Sequence, residues 1–200
     1  MPLFEKIRRV FHTDHRRGAP RKSRALRLEP LEERTLLTAT HWTVTSFSDI
    51  QDAMATIASG GEIEIRVAGD ITLTGGQGVT IASGQSVTVT SVGQAKILGS
   101  GSVDRSCSLF TVSGGELILH SVLIDGLKAD TSSSGVNGAV VNQTGGSVTV
   151  SGGTRISGCT AYNGGAFYVN AANAAGPVMS VVGGTISRSE EHTSELQSPQ

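Results

Sequence analysis

The side chains that could act in catalysis or bind a metal are acidic residues and one histidine in the middle of the chain. Hydrolysis of a glycosidic bond needs two carboxylates facing that bond, and calcium takes about six to eight oxygens, several of them from carboxylates. Asp125 aligns with Ser157 and Ser187 in the repeat described below, so it has no acidic neighbour. His120 lies in an alternating pattern and is expected to face solvent. The other candidates occur singly near turns: Asp104, Glu116 and Asp130.

Amides and thiols are the remaining reactive side chains. Asn142 opens an Asn-Gln-Thr triplet, which we interpret as a chance glycosylation sequon. Asn163 and Asn170 are expected to hydrogen-bond the backbone of turns. Cys107 and Cys159 occupy non-equivalent places in the repeat and are expected to be buried or half-buried free thiols. We therefore assign no catalytic, cofactor-binding or metal-binding residue.

The elements that would position these side chains form a repeat between Leu109 and Ser187. Leu117, Val148 and Met179 are equally spaced along the chain. A fixed period of about 30 residues indicates stacked units, and glycines divide each unit into short β-rich pieces. A second aligned set is almost equally spaced: Ile124, Ile156 and Ile186.

The segment that precedes this repeat contains apolar residues at a shorter constant spacing. Ile63, Ile71, Val79 and Val87 are again equally spaced and lie in alternating segments. With 26 glycines and only 4% aromatic residues, the composition suits a core of stacked β-branched side chains rather than a helical bundle. The sequence therefore predicts an all-β, right-handed parallel β-helix of about five coils over residues 41–187. Five threonines are expected on its outer faces: Thr72, Thr80, Thr88, Thr149 and Thr154.

A short amphipathic helix precedes the first coil. Ser48 and Gln51 have the spacing of a capping box, which predicts a helix over about residues 49–58. Such a helix would cover the open end of the β-helix, where bare strands invite aggregation. Four apolar residues share its predicted inner face: Phe47, Ile50, Met54 and Ile57.

Charge divides the chain into a basic leader and an acidic body. Residues 1–35 carry ten Lys or Arg and five Asp or Glu, a net +5, whereas residues 36–187 carry five and nine, a net −4. The acidic body argues against nucleic acid as the main partner. No apolar run reaches the length of a transmembrane helix. Residues 1–40 are interpreted as a basic leader, mostly disordered.

The segment from Leu26 to Leu37 resembles the LEPR-x-LL leader of large surface and secreted proteins of planctomycete bacteria. The Leu-Glu-Pro and Arg-x-Leu-Leu parts both match, although Leu31-Glu32-Glu33 separates the proline from the arginine. The resemblance implies export and an extracellular or cell-surface location.

The segment from Ile156 to Asn170 resembles the Gly-Gly-Ala-Ile repeats of polymorphic outer-membrane proteins and related pectin-lyase-like right-handed β-helices. The segment from Asn137 to Asn142 is interpreted as a degraded copy, with Asn137 in the place of the first glycine. The resemblance covers residues 45–187 and implies the fold. It does not imply an activity, because this fold carries adhesins and polysaccharide enzymes alike.

Residues 188–198 resemble the in-frame translation of a common sequencing adapter, so residues 188–200 are interpreted as a non-native tail on a truncated chain. The expected function is that of the N-terminal fragment of an exported bacterial cell-surface protein, with a structural or adhesive, non-enzymatic role. The alternative is a polysaccharide lyase or glycoside hydrolase whose catalytic coils are missing from the fragment. Expected partners are extracellular carbohydrate or cell-surface proteins, with no nucleic acid and no cofactor.

Overall fold

A computed structural model describes residues 40–101, 104–132, 135–170 and 178–191. All of them belong to one compact unit, Leu37–Gln200. The predicted leader motif and most of the predicted adapter-derived tail lie outside the described residues.

The described residues form a right-handed parallel β-helix of about four turns, as the all-β prediction required. Every described strand pair is parallel. The expected five coils become four with the start of a fifth, because later coils are longer: the paired residues Leu117 and Val148 are further apart in sequence than the paired residues Ile63 and Val87. The elements are β1 (Thr40–Val44), α1 (Phe47–Thr56), β2 (Gly61–Val67), β3 (Ile71–Leu73), β4 (Val79–Ile81), β5 (Gln85–Ser91), β6 (Lys96–Gly99), β7 (Phe110–His120), β8 (Leu123–Asp125), β9 (Val141–Ser151), β10 (Arg155–Ser157), β11 (Thr160–Ala161), β12 (Phe167–Val169), β13 (Val178–Val181), β14 (Thr185–Ser187) and β15 (Glu190–Glu191).

Two larger sheets form the walls of the β-helix. The long-strand sheet has the order β1-β2-β5-β7-β9-β12, with β4 paired to β7 and β13 paired to β9. The short-strand sheet has the order β3-β6-β8-β10-β14, and β11 pairs with β15. Both predicted alignments are confirmed as backbone registers: Leu117 with Val148 and Met179, and Ile124 with Ile156 and Ile186.

Alternation along each strand places the core. Ile63, Ile65 and Val67 in β2 are completely buried, as predicted, because side chains at every second position point to the same face. The prediction is wrong for Thr154, which is completely buried. Its single hydroxyl proton lies between two carbonyl acceptors, those of Ser151 at 2.7 Å and Leu119 at 3.0 Å. The turn into β10 thus uses a threonine that folds back inward to satisfy backbone carbonyls.

The long strands β7 and β9 each contain a pair of glycines where their register is irregular. The register between them shifts on both sides of Ser113. A Cβ atom added to Gly145 would lie 2.7 Å from the Ser113 carbonyl oxygen, and Gly146 has a φ of +66°. Only glycine fits this close approach of adjacent coils. The two parts of β7 on either side of its glycines pair with different strands, β4 before them and β5 after them.

The capping helix begins two residues earlier than predicted. Ser46, not Ser48, is the N-cap: its hydroxyl accepts from the Asp49 amide at 3.2 Å, and the Asp49 carboxylate accepts from the Ser46 amide at 3.0 Å. Asp49 can close the box because its short side chain reaches back to the cap amide at this spacing. The inner face is confirmed, since its four predicted apolar residues are all buried.

Both ends of the described coils contain strands that the sequence analysis did not assign. β1 pairs with β2 and adds a rung before the first coil. Glu190 and Glu191 form β15 on β11, inside the segment assigned to the adapter-derived tail; that assignment stays a prediction. Of the helices in the described part of the chain, none is long and apolar enough to cross a membrane.

Candidate ligand-binding groove

A groove with a mostly polar lining lies on the outer face of the short-strand sheet. Its volume is about 200 Å³. We call it the short-strand groove. Alternation along β6, β8 and β10 turns Ile97, Ile124 and Ile156 into the core, so the residues on either side of each isoleucine point outward. Seven residues line the groove: Gln94, Lys96, Leu123, Ile124, Asp125, Arg155 and Ser157.

Two exposed cations frame this groove on one column of the sheet. Lys96 pairs in register with Leu123, and Leu123 pairs with Arg155, so the cations are two strands apart. At about 4.8 Å per strand, their backbone positions are roughly 10 Å apart along the axis of the β-helix. The groove therefore presents two positive charges in line with the stacking direction.

Asp125 occupies the neighbouring column. Ser157, its register partner on β10, donates a hydroxyl hydrogen bond to the Asp125 carboxylate at 2.8 Å. The predicted alignment is confirmed, and Asp125 has a serine rather than an acid stacked on it. Among the described residues it makes no ion pair within 4 Å, so Lys96 and Arg155 keep their charges available at the surface.

The other acids and His120 are dispersed, as the sequence analysis expected. His120 is exposed, with Nδ1 3.1 Å from the Ser151 hydroxyl. Glu116 is exposed and accepts from the Ser86 hydroxyl at 3.0 Å. Asp130 accepts from the Ser132 amide at 2.8 Å, and this hydrogen bond lowers the pKa of its carboxyl group. Asp104 is exposed. Within the described ranges, no three His, Cys, Asp or Glu side chains come together.

Arg105 is a buried cation that no pattern in the sequence reveals. Its side chain is only 1% exposed, and desolvation lowers the pKa of its guanidinium. The guanidinium donates to the Gln77 carbonyl on the preceding coil and to the Ala139 carbonyl on the following coil, the latter at 3.3 Å. Its Nε atom has no partner among the described residues. Arg105 therefore ties three coils together from inside.

Gln143 is a second buried polar residue that the sequence pattern did not reveal. It pairs with Val112 and Val169 in a column that is otherwise apolar, and it is completely buried. Its amide donates to the Gly146 carbonyl at 3.0 Å and to the Val178 carbonyl at 3.2 Å. No sequence signal marks this position, because the neighbouring coils carry valine there.

The asparagines correct two expectations. The Asn163 amide donates to the side-chain oxygen of Asn137 at 2.8 Å, so its partner is another side chain and not turn backbone. Asn137 also forms a backbone bridge with Asn163, rather than standing where the first glycine, Gly164, would be. The hydrogen bond between the two side-chain amides is consistent with this register, because it forms when the two asparagines are stacked. We call this pair the asparagine ladder.

Both cysteines are free, as predicted: Cys107 is half-buried and Cys159 is completely buried. Burial raises the pKa of the Cys159 thiol to about 11. A thiol held protonated in this way is a poor nucleophile. Cys159 therefore acts as a small apolar residue of the core.

No protein-family model, no curated protein and no solved structure matches this chain.

Proposed function

We propose that this chain belongs to an exported bacterial cell-surface protein, and that its β-helix serves as a non-enzymatic adhesive stalk for extracellular carbohydrate. The short-strand groove carries the proposal. Lys96 and Arg155 are exposed, without an ion-pair partner in the described part of the chain, and aligned along the axis of the β-helix. An acidic polysaccharide lying along that axis would place successive carboxylates against the two cations.

Stacked coils also suit a mechanical role. Each coil hydrogen-bonds to its neighbours along two sheets, and the side chains of successive coils form one continuous core. Repeats of this kind extend in one direction and expose a long lateral surface. Several weak sites along such a surface raise avidity without requiring any single site to be tight.

The test is binding of the full chain to immobilised acidic and neutral polysaccharides. We expect salt-sensitive binding to the acidic polymer only, because the attraction between charges is screened by ions. The double variant Lys96→Ala/Arg155→Ala should bind about tenfold or more weakly, as expected for the loss of charge-assisted hydrogen bonds. Lys128→Ala is the matched control, since Lys128 is exposed on the same coil as Asp125 but does not line the groove. Equal binding by the double variant and the control would refute the role of the groove.

The same assay separates adhesion from the alternative enzymatic role. Asp125 is the carboxylate in the groove, and its hydrogen bond from Ser157 holds it in place. Incubation with soluble polymer should leave the chain length of the polysaccharide unchanged. Shortening of the polymer that Asp125→Asn abolishes would instead favour a polysaccharide-cleaving enzyme.

Export is proposed from the resemblance of residues 26–37 to the planctomycete leader. A bacterium of that group expressing the tagged chain should place it where added protease can reach it. Deletion of residues 26–37 should retain the protein inside the cell. Unchanged protease access after the deletion would argue against a sorting role for the motif.

A further inference from the structure

Each asparagine of the asparagine ladder belongs to a dipeptide that deamidates readily in a flexible chain. Asn137 and Asn163 are each followed by glycine, and these are the two Asn-Gly steps of the sequence. Glycine offers no side chain to block attack by its own backbone nitrogen on the preceding asparagine. We propose that Asn137–Gly138 is a latent deamidation site. We propose also that stacking of the coil that carries Asn163 slows the deamidation of Asn137.

The reaction needs only the chain and water. The Gly138 nitrogen loses its proton and bonds to Cγ of Asn137, the bond from Cγ to Nδ2 breaks, and ammonia leaves with the proton. The product is a five-membered succinimide. Water then adds to one of its two carbonyls and opens the ring, leaving either aspartate or isoaspartate at position 137.

Three hydrogen bonds oppose this path in the folded protein. The Gly138 amide, the attacking group, donates to the Asn163 carbonyl at 2.8 Å. The side-chain oxygen of Asn137 accepts from the side-chain amide of Asn163 at 2.8 Å, which keeps Cγ of Asn137 from rotating toward Gly138. The Ser108 hydroxyl donates to the Asn137 carbonyl at 2.9 Å from the preceding coil. Attack therefore requires Asn137 and Gly138 to separate from Asn163.

The surroundings of Gly138 make that separation costly. Gly138 is buried, its φ is +67°, and a Cβ atom added there would lie 2.7 Å from the Tyr168 amide nitrogen. The backbone at this point is thus held between its own coil and the next. Isoaspartate would add one atom to the main chain where the register is set, so the reaction would make a transient opening permanent.

The experiment compares deamidation of the full chain in native buffer and in concentrated urea. Trypsin places the two Asn-Gly dipeptides in different fragments, because Asn137 lies in peptide 129–155 and Asn163 lies in peptide 156–188. Mass spectrometry measures the conversion of amide to acid in each peptide. We expect Asn137 to react about tenfold or more slowly in the folded protein than in urea, because its hydrogen bonds must open first.

Variants test whether the neighbouring coil is responsible. Asn163→Ala should speed native deamidation of Asn137 several-fold and speed hydrogen exchange of the Gly138 amide in parallel. Asn163→Ser provides a milder replacement if the alanine variant does not fold. Thr72→Ala, an exposed change on the first coil, should alter neither rate, and all variants should react equally in urea. The proposal would be overturned if Asn137 deamidated as fast in native buffer as in urea while the protein kept the circular dichroism spectrum of β-structure. It would also be overturned if Asn163→Ala exchanged the Gly138 amide faster without deamidating Asn137 faster.

Discussion

Val148 lies directly beside Leu117 on the neighbouring coil, paired in backbone register, and both side chains are completely buried. The same column continues to Ile63 and Val87 on one side and to Met179 on the other. Since each residue covers the one before it, the core is a set of aliphatic columns that run along the axis. Stability in such a stack depends on contact between neighbouring coils.

A charge inside this column should unfold the coil that carries it. Val148→Asp buries a carboxylate without a partner, and we expect it to cost about 3 kcal/mol or more in unfolding free energy. Urea titration followed by circular dichroism measures the loss. Thr149→Asp is the control, because Thr149 lies on the opposite face of the same strand and should change stability little. Similar losses from the two variants would contradict the inward assignment of Val148.

The N-cap of α1 offers a local test of the observed capping box. Ser46→Ala removes the hydroxyl that accepts from Asp49, and we expect it to lower the unfolding free energy by about 1 kcal/mol. Ser48→Ala, which removes the serine that the sequence pattern favoured, should cost less than about 0.5 kcal/mol, because Ser48 is exposed within the helix. A larger cost at Ser48 would show that the helix starts where the sequence analysis placed it.

Arg105 should contribute to stability as a buried tie between coils. Arg105→Ala leaves the Gln77 and Ala139 carbonyls without their donor and opens a cavity, and we expect a loss of about 2–4 kcal/mol. Arg155→Ala, an exposed change, should stay within about 0.5 kcal/mol. Thermal or urea unfolding distinguishes these outcomes. Equal stability of the two variants would show that the buried guanidinium adds nothing net.

Cys159 should make stability depend on pH in alkaline solution. Its thiol has a pKa of about 11 in the folded protein against an ordinary value of 9.0, so the folded state binds the proton more tightly than the unfolded state. The stabilisation is complete below about pH 9 and is lost as the pH rises toward 11, with a total of about 3 kcal/mol. Urea unfolding across this range should show a decline that Cys159→Ala reduces and Cys107→Ala leaves in place. Parallel curves for wild type and Cys159→Ala would contradict the assignment.

The fifth coil exposes apolar side chains whose counterparts in the fourth are covered. Val181 is 54% exposed and Ile186 is 40% exposed, whereas their register partners Val150 and Ile156 are completely buried. We expect concentration-dependent self-association through this face, because exposed strands and apolar patches attract other chains. Val181→Thr/Ile186→Thr should reduce it in light-scattering measurements. Val92→Thr, at a residue 51% exposed on an earlier coil, should not.

The groove was only partly predictable from the sequence. The alignment of Asp125 with Ser157 followed from the spacing of Ile124 and Ile156, because a side chain next to a buried isoleucine must point outward. The position of Lys96 beside that column could not be read in the same way. The paired residues Ile97 and Ile124 are closer in sequence than the later pairs of the same column, since the intervening loops differ in length.

The order of apolar residues along the chain was enough to predict the fold class, the aliphatic columns and the inner face of the capping helix. Those features depend on local alternation and on a constant repeat length, and both are visible without coordinates. The burial of Arg105, Gln143 and Thr154 and the pairing of Asn137 with Asn163 emerged only in the folded chain. Each of these depends on which polar group of the backbone or of another side chain the fold brings beside it. That is set by the path of loops of unequal length, for which the sequence carries no periodic signal.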